Sequence, residues 1–222
     1  DGKVDNVCFV VYGSPGAWAD LLWPHKWSLS TQTVYINSKR VYTYNFQLQT
    51  SVDVGVLCHE MFHSLGSPDL YHYSYDGLSP VGRWDLMEWD QTPPQHMSAY
   101  MKYKYGHWIA SIPEITPDGG TYTLNPLTSS TGQCYKIASN HSPTEFFVVE
   151  YRRDTGTFES SIPGSGLLVY RINTAVMGNA GGPPDEVYAY RPGGTLVVNG
   201  TVNSANYSST VGRTSITDDT SP

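Results

Sequence analysis

The run His59-Glu60-Met61-Phe62-His63-Ser64-Leu65-Gly66-Ser67-Pro68-Asp69 constrains this chain more than any other feature. Apolar residues at Val52, Val56, Phe62 and Leu65 recur at helical intervals, so residues 52–65 are expected to form a helix. A helix advances 3.6 residues per turn, and side chains four apart share one face. His59 and His63 then present two imidazoles side by side. Gly66 and Pro68 stop the helix, because glycine can take the left-handed conformation that turns a chain back. That reversal carries Asp69 toward the two histidines.

Two imidazoles and a carboxylate suit zinc, which in reactive sites takes three protein ligands and one water, with nitrogens at about 2.0–2.1 Å. His59, His63 and Asp69 are the candidate ligands, with Asp85 and Glu88 as alternatives for the third. Glu60 follows the first ligand directly and is placed to take a proton from the metal's water and pass it on. HExxH alone recurs by chance. The helical setting and the spacing to Gly66 and Asp69 give it weight here.

Charge excludes other classes. The chain carries 13 basic and 20 acidic residues, a net charge of −7, whereas a nucleic-acid or anionic-membrane surface requires the opposite sign. Only 15% of its 222 residues are charged, while 17 are tyrosine and 21 glycine, a profile of β-rich, loop-rich extracellular domains. Apolar runs such as Val7-Cys8-Phe9-Val10-Val11 have strand length and cannot span a bilayer. Cys8, Cys58 and Cys134 match no zinc ribbon or redox spacing and are expected to be small buried apolar residues.

Strands are expected at residues 7–12, 34–36 and 40–46, with residues 21–28 irregular. Residues 40–46 precede the histidine helix, and as an edge strand they could receive an extended peptide by backbone hydrogen bonds. A second helix is expected over residues 95–108, where Met97, Tyr100, Met101, Tyr105 and Trp108 repeat at three and four. The texture changes near residue 112. Short strands then follow at 121–124, 134–138, 146–151, 166–172 and 196–198, with 178–184 as a surface loop. The expected organisation is a catalytic core over residues 1–112 and a β-rich subdomain over 113–222.

These motifs resemble the secreted bacterial metallopeptidases of the immune inhibitor A-like family. Trp23-Pro24-His25-Lys26-Trp27-Ser28 is similar to its WPHxW segment, and His59–Tyr71 to its HExxHxLGxPDLY. Trp84-Asp85-Leu86-Met87 matches WDLM, and Phe146–Arg152 followed by Pro163–Leu168 resembles FLVExR…PGSGLL. The resemblance implies an α+β, metzincin-like zinc-peptidase catalytic domain, a mixed sheet plus an active-site helix. It implies that Met87 is the apolar turn residue beneath the metal, and that the protein is exported and cleaves proteins or peptides. A monomer is expected. Fifty-eight residues precede His59, fewer than a metzincin upper lobe generally holds, so further N-terminal strands are expected.

The chain departs from the family at Glu88-Trp89-Asp90, after WDLM, and at Arg171, where relatives tend to show histidine. The opening Asp1-Gly2-Lys3-Val4-Asp5 resembles half of an acidic calcium loop, making Asp1 and Asp5 candidate calcium ligands. Tyr71, Tyr73 and Tyr75 are candidate oxyanion donors, and His25 in its tryptophan setting is expected to be structural. The rival class is an inactive protease-like module whose aromatics bind a host protein or a glycan.

Overall fold

A computed structural model describes residues 2–14, 16–18, 21–116 and 119–217. The chain forms two compact units, Asp1–Ser67 and Pro68–Pro222. The change of texture near residue 112 falls inside the second.

Among the described residues, the first unit holds two three-stranded sheets and one α-helix. In one sheet, β5 (Lys39–Val41) lies between β1 (Lys3–Val4), to which it is parallel, and β4 (Val34–Ile36), to which it is antiparallel. Asn37 and Ser38 connect β4 to β5 with φ of 46° and 64°, the paired left-handed conformations a two-residue hairpin turn demands. In the other sheet, β6 (Thr43–Leu48) lies between β2 (Val7–Val11) and β3 (His25–Ser28). Residues 40–46 are thus not one edge strand. They are divided between β5 and β6, each already paired on both sides, so neither offers an edge to a peptide. The strand His25–Ser28 lacks a clean apolar alternation, which hid it in the sequence. His25 stacks on Phe46 and bonds the Trp23 carbonyl through Nδ1 at 2.7 Å, the structural part expected of it.

Helix α1 (Val54–Ser64) packs on β3 and β6. The Asp53 side chain accepts from the Val56 N–H at 2.9 Å and caps its start. Gly66, at φ 100°, turns the chain out of it.

The second unit is built on an antiparallel sheet of β7 (Cys134–Ala138), β8 (Glu145–Arg152), β9 (Gly166–Asn173) and β10 (Val187–Ala189), in the order β10-β9-β8-β7. Helix α2 (Ala99–Lys104) packs on β8. It is much shorter than the expected 95–108. Residues 95–98 lie outside the helix because the His96 and Ser98 N–H groups are drawn to Glu159 and Asp85, and His107 has φ 54°. Residues 121–124 and 196–198 form no strand, whereas 187–189, unmarked by periodicity, do. Cys134 is buried, and burial pushes its thiol up to about 12; Cys8 is exposed, contrary to expectation.

Candidate metal centre

His59 and Glu60 are buried on α1, and His63 is half-buried one turn on. The two imidazoles stand nearly perpendicular, at 85°, with their Nε2 atoms 3.1 Å apart. His63 Nδ1 lies 2.7 Å from the Ser67 carbonyl, which can only accept. That contact puts the proton on Nδ1 and leaves the Nε2 lone pair pointing at His59. Two nitrogens ligating one tetrahedral zinc at about 2.05 Å would be about 3.3 Å apart, close to the observed separation. The donor set therefore fits a metal. Ligand atoms of His59, His63 and Asp69 all lie within 4.8 Å of one another.

Asp69 itself is 8% exposed, and its Oδ2 accepts the Tyr73 hydroxyl at 2.5 Å. Of the three tyrosines considered as oxyanion donors, Tyr73 thus has its hydroxyl on a candidate ligand, and Tyr75 is almost fully exposed. The next residue, Leu70, donates its N–H to the Met87 carbonyl at 2.9 Å. Met87 is completely buried, and its own N–H donates to Asp85 Oδ1 at 2.9 Å, which closes a tight turn.

Asp85 and Glu88, the alternative third ligands, are occupied otherwise. Asp85 Oδ2 accepts from the Ser98 N–H at 2.7 Å, so its carboxylate ties the Met87 turn to the start of α2. Glu88 folds back to accept from Ser79 Oγ and from the Val81 and Gly82 N–H groups. Burial nevertheless outweighs those donors and pushes the Glu88 carboxyl up to about 7.

The FVVEYR strand explains why such a motif accompanies WDLM. Arg152, fully buried, makes five hydrogen bonds: two to Glu159, one to Glu150, and one each to the Trp84 and His96 carbonyls. Glu150 Oε2 accepts the Ala99 N–H at 2.6 Å, at the first turn of α2. Glu150 and Arg152 thus hold the ends of the two segments that flank Met87. Arg171 lies on β9 with its guanidinium 5.6 Å from the Tyr188 ring.

The sequence missed one group of contacts. Residues 178–184 are not simply a surface loop, since Gly178 and Asn179 are buried. The Asn179 N–H donates to the Asp69 carbonyl at 2.9 Å. The only signal was the glycine itself, at φ 68°.

Of the candidate calcium ligands, Asp1 lies outside the described residues. Asp5 is exposed and belongs to no three-ligand cluster among those described. No helix among the described residues is long and apolar enough to cross a membrane.

No curated protein matches the chain. Residues 12–108, which hold His59, Glu60, His63, Asp69 and Met87, match the immune inhibitor A peptidase M6 catalytic domain, and over this stretch the chain is similar to that peptidase family.

Proposed function

We propose that the protein is a zinc-dependent endopeptidase acting on extracellular proteins, with His59, His63 and Asp69 as ligands and Glu60 as general base. The observation that carries this reading is the convergence of three ligand-type atoms within 4.8 Å, one helical residue away from a buried carboxylate. When bound, zinc would lower the pKa of a water toward about 7 and polarise the scissile carbonyl.

The rest is the work of the chain's own residues. The Ser67 carbonyl holds His63 in the tautomer that carries the ligating lone pair on Nε2. Tyr73 donates its hydroxyl to one oxygen of Asp69 and so orients the carboxylate. Glu60 accepts the proton of the attacking water and delivers it to the departing amine nitrogen. Met87 forms an apolar floor at the end of its hydrogen-bonded turn. An inactive binding module would be expected to have lost a ligand or the base, and all four residues are in place.

The test is cleavage of an unfolded protein by the zinc-loaded chain beside its Glu60→Gln variant. The variant should retain zinc and lose at least about 100-fold in turnover, the usual scale of a positioned general base. Undiminished cleavage by Glu60→Gln would remove Glu60 from the mechanism.

A further inference from the structure

We propose that the segment Gly178–Ala180, more than a hundred residues downstream in sequence, is a brace that positions the third metal ligand, with Asn179 as its main positioning residue. The inference rests on the reading of Asp69 as a ligand.

Four contacts bring the brace onto the Asp69 segment. The Asn179 N–H donates to the Asp69 carbonyl at 2.9 Å, and the Tyr73 N–H donates to the Ala180 carbonyl at 3.0 Å. The Asn179 side chain, fully buried, donates from Nδ2 to the Leu70 carbonyl at 3.0 Å. Gly178 packs so closely that a Cβ there would stand 2.5 Å from Pro68 Cβ and 2.9 Å from the Asp69 carbonyl oxygen. Asp69 is therefore gripped by backbone on one side, while Tyr73 holds its carboxylate on the other.

The brace is itself anchored to the core. Asn179 Nδ2 also donates to the Val187 carbonyl at 2.8 Å, and Oδ1 accepts the Val187 N–H at 3.1 Å, locking the segment to β10. Gly178 N–H donates to Glu186, a fully buried carboxylate that also accepts from Tyr100, Lys104 and Tyr105 of α2 and its end. At the far end, Asp185 bonds His72 Nε2 at 2.7 Å. A ligand on a short loop after a helix would otherwise sample several orientations. Groups that orient ligands typically govern about 10- to 100-fold in metal affinity.

The experiment measures zinc affinity by chelator competition on the full chain, together with the visible absorption of the cobalt-substituted protein. That spectrum reports ligand geometry, which a merely structural role would leave unchanged. Gly178→Ala and Asn179→Ala should weaken zinc binding about 10- to 100-fold and shift the cobalt bands. Gly181→Ala, in the same loop with open space around it, should stay within about twofold of the wild type. Wild-type affinity and spectrum in Gly178→Ala would overturn the proposal, as would an equal loss in Gly181→Ala. Should Gly178→Ala fail to fold, as judged by metal-free melting, Asn179→Ala decides alone, since it removes the side-chain bond to the Leu70 carbonyl. An unchanged cobalt spectrum in that variant overturns the brace equally. Asp69→Ala separates the two readings: full zinc affinity there sinks Asp69 as a ligand, whereas a loss there with none in the brace variants sinks the brace alone.

Discussion

The two compact units bury their residues very differently. In the first, the apolar strands β2 and β4 are largely exposed: Phe9, Val10 and Val11 are 39–56% accessible, and Tyr35 is 62%. Its central strand β6 instead buries Asn45 and Gln47, which bond each other while Asn45 Nδ2 and Gln47 Oε1 stay unpaired. In the second, Val148, Leu168, Tyr170 and Ile172 are completely buried, and the buried guanidinium of Arg152 has a partner for every N–H. Burial of apolar surface is the main source of stability, so the second unit should hold its shape on its own far better than the first. The helix with the two histidines belongs to the first unit, whereas Asp69, Met87 and the network behind them belong to the second.

Breaking that network should give the largest effect. Arg152→Ala leaves Glu150 and Glu159 as buried carboxylates without their cation, which costs about 3–5 kcal/mol in comparable buried pairs. Urea denaturation followed by tryptophan fluorescence, where Trp84 reports on the second unit, measures the loss. A cost below about 1 kcal/mol would mean that the network contributes little to the contrast between the units.

The same contrast governs what could be read from the sequence. The candidate centre was legible because its ligands lie within eleven consecutive residues and its signals are local: helical spacing, a glycine stop and a carboxylate beyond it. Strands β7, β8 and β9 were legible because buried antiparallel strands carry β-branched and aromatic runs. Helix α2 was overextended because buried aromatics around it imitate helical periodicity, while Asp85, Glu150 and Glu159 capture the backbone of residues 96–99. The brace at Gly178–Ala180 was illegible because its content is backbone hydrogen bonding across a hundred residues, which leaves almost no pattern in side chains. The edge-strand expectation failed for a related reason: sequence order places residues 40–46 before the helix but does not say what pairs beside them.

A smaller effect, titratable rather than structural, sharpens the comparison. Glu88 is held in the second unit with its carboxyl pushed up to about 7 by burial. A carboxyl raised in the folded state favours folding fully below its unfolded value, near 4.5, and that stability is lost as pH rises through the folded value. The difference in unfolding free energy between wild type and Glu88→Gln should therefore fall by roughly 3 kcal/mol between about pH 4.5 and 7, then level off. A flat difference across that window would show that the donors from Ser79, Val81 and Gly82 keep the carboxylate ionised throughout.

The smallest effect comes from making one substitution in both units. Val10→Thr swaps a methyl for a hydroxyl on a half-exposed strand, where water already reaches the side chain. Stability should change by no more than about 0.5 kcal/mol. Val148→Thr makes the identical swap where nothing is accessible, and it buries a hydroxyl among apolar side chains at a cost of about 1–3 kcal/mol. Equal losses at the two sites would show that β2 is covered in solution, and the contrast in burial would then not describe the working molecule. A near-zero value at Val10 beside a clear loss at Val148 would confine the stabilising core to the unit that holds Asp69 in place.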